Sequence, residues 1–348
     1  MTYSKQLLTF IAICFCVNLN ASAATRINGA GATFPYPIYA QWISSFNQSQ
    51  DDYQFNYQSI GSGGGIRQFS NSTVHFGATD APMRDQQIEN LDREILHIPT
   101  IMGAVAVAHN IPGFKKTIQM DGQTLALIFM GKIKYWDDPK IKAHNPELSI
   151  PNEAIMPIRR ADGAGTTDVF SDYLSKVSSK WQKKVGRGVA LRWIGQNIGA
   201  KGNEGVTSML RQIPGSIGYI ELAYARQFNF SLVALKNTSG HYTLPDTQSI
   251  THAASGLEEK DYYGDYRLSI TNSAHPEAYP ISAFSYILIN TQNLNQFDLA
   301  VRQFLTWALT AGQEYAERLF YAPLPERLRE IIIKRLEITE LDSDAKKD

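Results

Sequence analysis

The stretch Tyr53-Gln54-Phe55-Asn56-Tyr57-Gln58, followed after Ser59-Ile60 by Gly61-Ser62-Gly63-Gly64-Gly65, alternates aromatic and amide side chains before breaking into small residues. A period of two belongs to a strand with one covered face, and the glycines that follow predict a loop where the strand ends. Upstream, Tyr39, Trp42, Ile43 and Phe46 fall on one helical face. Pro35 and Pro37 stand near that helix start, where proline is tolerated, and the loop that opens the helix is Ala30-Gly31-Ala32-Thr33-Phe34-Pro35. The same grammar returns later. Ile155 to Arg160 predicts a short strand, Asp162-Gly163-Ala164-Gly165-Thr166-Thr167 a loop, and Val169, Phe170, Tyr173, Leu174 and Val177 the apolar stripe of a helix. Runs at Ile101 to Val107 and Tyr286 to Ile289 predict buried strands, while Phe297, Val301, Phe304, Leu305 and Ala308 mark a late helix. The chain is α/β throughout.

Lys5, the largely apolar run Leu7 to Val17 and Ala21-Ser22-Ala23 predict a cleavable export signal over residues 1–23. The apolar run is too short for an ordinary membrane span, and no later stretch supplies about 18 uninterrupted apolar residues, so the expected mature protein is soluble. Cys14 and Cys16 both fall inside the signal, which leaves a mature chain with no thiol, disulfide or thiolate metal site. Lipid attachment at Cys14 is disfavoured by the bulky Ile13 before it. About 325 residues remain after cleavage, enough for two domains. No proline-rich linker or fixed repeat divides them, so the chain is expected to cross between domains more than once, near Ile101 and near Ile281. Leu336 to Asp348 reads as an exposed polar tail.

Lys and Arg number 33 against 33 Asp and Glu, a balance that argues against bulk electrostatic capture of nucleic acid or membrane. Anion recognition must then be local. Each of the three loops opens a helix, and a helix start leaves N–H groups unpaired beside a partial positive charge, so three around one point make a cage for an oxyanion. Nucleotide readings fail on spacing: there is no Gly-x-x-x-x-Gly-Lys-Ser/Thr, and the loops hold no Gly-x-Gly-x-x-Gly opening a βαβ unit. The seven histidines show no close metal-ligand pair along the chain, and no Gly-x-Ser-x-Gly nucleophile turn occurs, which disfavours a secreted phosphatase.

Arg160 precedes the third loop, where its planar fork could hold two oxygens of an anion while Asp162 orients it; an ordinary surface ion pair is the plainer alternative. Asp80, after the short apolar run Val74 to Ala78, would by itself most often be a helix cap.

Together these motifs resemble the periplasmic phosphate-binding proteins of ABC-type phosphate transporters over nearly the whole mature chain. The resemblance rests on Gly29-Ala30-Gly31-Ala32-Thr33-Phe34-Pro35, Ile60-Gly61-Ser62-Gly63-Gly64, Phe76-Gly77-Ala78-Thr79-Asp80-Ala81-Pro82 and Arg159-Arg160-Ala161-Asp162-Gly163-Ala164-Gly165-Thr166. Gly131-Lys132-Ile133-Lys134-Tyr135-Trp136-Asp137-Asp138 and Lys201-Gly202-Asn203-Glu204-Gly205 add to it.

The resemblance implies a two-lobed periplasmic binding protein fold with a ligand cleft and hinge crossings. One domain would comprise residues 24–101 plus 282–348, the other 102–281. It implies phosphate contacts at Thr33, Phe34, Ser62, Asp80, Arg160, Ala164, Gly165 and Thr166, with no catalytic residue, metal or cofactor. Thr33, Ser62 and Thr166 would give hydroxyl and backbone donors, Phe34 and Gly165 backbone N–H groups, and Arg160 the principal charge. Asp80 would accept a hydrogen bond from a protonated phosphate oxygen and repel sulfate, which carries no such proton near neutral pH. The implied partners are inorganic phosphate and the permease subunits of the inner membrane, met by a periplasmic monomer; a phosphate sensor on the same fold is an alternative. Ala164 stands where family members often have serine, so one side-chain donor is missing although its N–H would remain. A hydrogen bond to a charged group is worth roughly 1.5–3 kcal/mol, so affinity would fall about 10- to 100-fold unless Thr167 or a water replaced it.

Overall fold

Two strands that begin the chain fix the first half of the architecture. β1 (Thr25–Gly31) runs parallel to β2 (Tyr53–Ser59) in a register from Thr25↔Tyr53 to Gly31↔Ser59, and on its other side parallel to β3 (Phe76–Thr79). The structure is a computed structural model that describes residues 24–344. The predicted signal with its two cysteines lies outside the described residues, as do residues 345–348.

Because the three strands are parallel and in register, their following loops leave one sheet edge together. The aromatic face of β2 explains its cover: Phe55 packs edge-on against Phe46 of the helix Tyr36–Ser49 and lies against Phe304 of the helix Gln296–Leu309. Both helices carry the apolar spacing expected of them, and Tyr39, Trp42, Ile43 and Phe46 are buried.

β4 (Ile95–Asn110) spans 16 residues and is buried along almost its whole length. The second half of the molecule holds β5 (Ile118–Met120), β6 (Met156–Arg160), β7 (Ile198–Ala200), β8 (Ser216–Glu221), β9 (Ser231–Lys236) and β10 (Tyr242–Thr243). The last strand, β11 (Ser282–Asn290), returns to the first half. The sheet order is β2-β1-β3-β11-β4-β8-β6-β7, with β9 beside β4 and flanked by β5 and β10. Residues Ile95 to Ala104 of β4 pair antiparallel with β11, and Val105 to Asn110 pair with β8. One strand therefore serves both halves, which is why two apolar runs, rather than a linker, carry the chain between them. β6 is parallel to β7 and β8, so the loops after Arg160 and Ala200 leave a common edge, toward the loops of the first half. Ligands of open α/β sheets sit outside such carboxyl ends.

The C-terminal segment departs from the expected tail. A helix spans Glu326–Asp344, and Leu328, Ile332 and Leu336 are buried at four-residue spacing. The Leu336 carbonyl accepts from Arg302 Nη1 at 3.3 Å. Lys and Glu around these positions mask a buried stripe in the composition.

Glycine is required where the helix Ser62–Ser70 crosses the end of β1. A Cβ on Gly65 would lie 2.5 Å from Gly31 Cα and 2.6 Å from the Ala78 carbonyl oxygen, both backbone atoms that cannot turn aside. Gly65→Ala is expected to destabilise the protein by about 2 kcal/mol or more through overpacking, read as a lower midpoint in urea unfolding.

Candidate anion-binding site

Hydrogen bonds between the loops assemble the site. Ala32 N–H donates to the Ala78 carbonyl at 2.9 Å, and the N–H groups of Ile60 and Gly61 both donate to the Gly31 carbonyl, at 2.9 and 2.8 Å. These bonds lock the first two loops and the Asp80 loop side by side. Across the cleft, Gly63 N–H donates to the Gly163 carbonyl at 2.9 Å. A Cβ on Gly165 would fall 2.4 Å from Ser62 Oγ and 2.5 Å from Asp80 Oδ2, so the third helix start abuts Ser62 and Asp80 directly. The cleft is closed in this structure.

The helices Ser62–Ser70 and Gly165–Val177 begin without a side-chain cap. Among the described residues, the N–H groups of Thr33, Phe34, Ser62, Gly165 and Thr166 have no protein acceptor, leaving uncapped donors on both sides of the cleft. Phe34 is held from behind: its carbonyl accepts from the Tyr321 hydroxyl at 2.7 Å, while the Thr33 carbonyl accepts from the Tyr224 hydroxyl at 2.9 Å.

Arg160 is 2% exposed, which removes the surface-pair alternative. Its Nε donates to Asp162 Oδ1 at 2.8 Å, its Nη2 to Asp162 Oδ2, and its Nη1 to Thr166 Oγ1 at 3.1 Å. These three bonds leave one hydrogen on each terminal nitrogen, a fork suited to two oxygens of one anion. The two burdens on Asp162 act oppositely: desolvation raises its pKa, but the Arg160 bonds and charge and the Gly202 N–H outweigh it, so the carboxyl titrates below its ordinary range.

Asp80 is not a helix cap. Its Oδ1 accepts from Ser285 Oγ at 2.8 Å, its Oδ2 from Ser62 Oγ at 3.3 Å, and its own N–H donates to Ser62 Oγ at 3.2 Å. Burial pushes its pKa up to about 7; the bonds from Ser285 and Ser62 and the charge of Arg160 only partly offset that desolvation.

Two residues complete the site that sequence reasoning did not place in it. Ser285 lies where the pairing of β11 with β4 shifts register between Ser285 and Tyr286, an irregularity that re-aims a side chain and has no mark in the sequence. Asn203 follows β7; its Oδ1 accepts from Glu221 N–H at 3.0 Å, which turns Nδ2 toward Thr33 Oγ1 at 2.8 Å and Thr166 Oγ1 at 3.4 Å. With their oxygens accepting, the Thr33 and Thr166 hydroxyls keep their own protons for a ligand. The Lys201-to-Gly205 motif was the available signal for Asn203, although its spacing alone assigns no role.

The expectation for Ala164 needs correction. Its N–H donates to the Val189 carbonyl at 2.8 Å, so this position brings neither a hydroxyl nor an uncommitted N–H to the cleft. Nor does Thr167 replace the donor: its Oγ1 pairs with the Tyr219 hydroxyl at 2.8 Å. Both groups are drawn away by the strand and loop that cover the third helix start.

A two-lobed α/β fold closed on a buried cleft lined with hydrogen-bond donors defines a solute-binding protein of the periplasmic type. The family model described as the PBP superfamily domain matches residues 18–311. The chain is 42% identical over 305 residues to the phosphate-binding protein PstS of Haemophilus influenzae, covering 87% of this chain and 90% of the relative. It is 38% identical over 339 residues to the phosphate-binding protein PstS of Pasteurella multocida, covering 97% of each. The same fold occurs in a high-affinity periplasmic phosphate-binding protein, PfluDING, solved with phosphate, at TM-score 0.72 and 19% identity over 88% of this chain and 93% of that one. The chain belongs to the family of PstS phosphate-binding proteins. Among the described residues, no helix is long and apolar enough to cross a membrane.

The raised pKa of Asp80 has a consequence for the protein without ligand. The folded state holds the proton up to about pH 7, whereas an unfolded aspartate loses it near 4, so stability falls as pH rises between those values and the full penalty stands above pH 7. Asp80→Asn is expected to stabilise the ligand-free protein by on the order of 3 kcal/mol at pH 8 and by much less at pH 4, measured by urea unfolding at both pH values.

Proposed function

We propose that this protein binds inorganic phosphate in the periplasm after export and delivers it, as a monomer and without turnover, to the permease of an ABC transporter. The observation that carries the reading is Asp80, a buried carboxyl set among anion donors. A site for any oxyanion has no use for a carboxylate; a site for a protonated phosphate does, since the ligand's O–H can donate to it. Thr33, Phe34, Ser62, Gly165 and Thr166 would supply the donors, Arg160 the charge and Asp80 the acceptor. Ala164 would shape the loop only.

We place one lobe at residues 24–101 with 282–348 and the other at 102–281. The change of β4's partner between Ala104 and Val105 supports this, as does the bond from Val105 N–H to the Ile281 carbonyl at 2.8 Å. Closure would swing the third loop and Asn203 onto the first two.

Calorimetric titration of the purified protein tests the reading. Saturable binding of one phosphate is expected, with arsenate competing because it carries the same proton, sulfate competing poorly, and no phosphate released from a chromogenic ester. An absence of phosphate binding would overturn the proposal. Asp80→Asn should relax discrimination against sulfate. In the wild type, sulfate should compete better as pH falls below about 7, where Asp80 becomes protonated and can donate to an oxyanion that offers no proton. Selectivity unaffected by Asp80→Asn would remove Asp80 from the role.

A further inference from the structure

Folding brings together histidines that sequence spacing keeps apart. His252 lies in the helix Thr247–Ala254, and His275 and Glu277 lie on the segment that leads into β11. The two imidazoles are parallel, with centroids 4.5 Å apart and an interplanar angle of 5°. His252 Nε2 stands 3.3 Å from Glu277 Oε2. One donor atom from each of the three side chains falls within 4.8 Å of the others, at the surface.

One of these separations already matches a coordination sphere. Ligands at the usual zinc distances of about 2.0–2.2 Å in a tetrahedron are separated by about 3.3 Å, the separation His252 and Glu277 already have. The parallel rings must also turn so that a nitrogen lone pair of each converges on one point, a side-chain rotation open to partly exposed residues. The backbone beneath them is fixed. Asp246 caps the His252 helix, accepting from Ser249 N–H at 2.7 Å, and that helix is tied to the His275 segment by Tyr279 N–H donating to the Ser249 carbonyl at 3.1 Å. Asn237 Nδ2 donates to the Pro276 carbonyl at 2.7 Å, pinning the turn between the other two ligands. His275 Nδ1 accepts only a 3.2 Å bond from Glu277 N–H, which coordination can replace.

We propose that His252, His275 and Glu277 form a binding site for one divalent transition-metal ion of the zinc type. Two imidazoles and one carboxylate suit zinc, copper or nickel rather than magnesium, which demands an octahedron of oxygens. A fourth position would be open to water. The ion would clip the helix to the segment that enters β11.

The test is titration of the untagged, chelator-treated full chain with Zn2+ in phosphate-free buffer, by calorimetry and by thermal unfolding. One equivalent should bind and raise the melting temperature. His252→Ala and His275→Ala should each cost about tenfold or more in affinity, and Glu277→Gln should weaken it too. Each variant's metal-free melting temperature separates lost ligation from lost folding, with His→Gln replacing any variant that unfolds. No saturable Zn2+ uptake, uptake unchanged in the His252→Ala/His275→Ala double variant, or equal uptake of Mg2+ would overturn the proposal and leave an ordinary ion pair only.

Discussion

A carboxylate taken out of water must be given hydrogen bonds, a counter-charge or a proton, and the cleft is organised around how Asp80 meets that demand. Ser62 and Ser285 supply two bonds, but Arg160 spends most of its fork on Asp162 and Thr166, so its charge reaches Asp80 only in part. Desolvation prevails, and Asp80 is left strongly proton-seeking in a cleft otherwise rich in donors, as is the buried Glu221 behind Asn203. Arg160 and Asp162 cancel in charge, so the cleft presents backbone and hydroxyl dipoles and the two remaining hydrogens of the Arg160 fork rather than a net positive charge. This agrees with the balanced charges of the whole chain.

Much of this was legible because it is local. Strand, small-residue loop and helix follow one another within each segment, so Thr33, Phe34, Ser62, Gly165 and Thr166 could be placed at helix starts from spacing alone, and Arg160 beside Asp162 from adjacency. What spacing does not encode is partnership at long range. Ser285 reaches Asp80 through a register shift in β11, and Asn203 is turned toward Thr33 by an N–H of β8. The same limit explains Ala164, whose N–H is taken by Val189 on a loop folded over it, and Leu336, whose burial depends on what the last helix packs against.

The glycines of the three loops divide their work. Gly65 and Gly31 let a helix seat on the end of a strand, whereas Gly63 and Gly163 let two loop backbones touch. At Gly61, with φ of +87°, a side chain would meet Asp162 Oδ2 at 2.5 Å and so would also disturb the carboxylate that aims Arg160. Sequence shows all of these alike as glycines of small-residue loops; only the fold separates conformational need from closeness of approach.

Phe34 and Tyr321 are 287 positions apart, yet the hydroxyl of one holds the carbonyl of the other. The first loop thus takes its final shape from a residue made long after it. A chain that has not yet delivered Tyr321 cannot complete this contact. Ligand binding in such a molecule is a signature of completed folding, and a truncated product with every other loop intact would lack that strut.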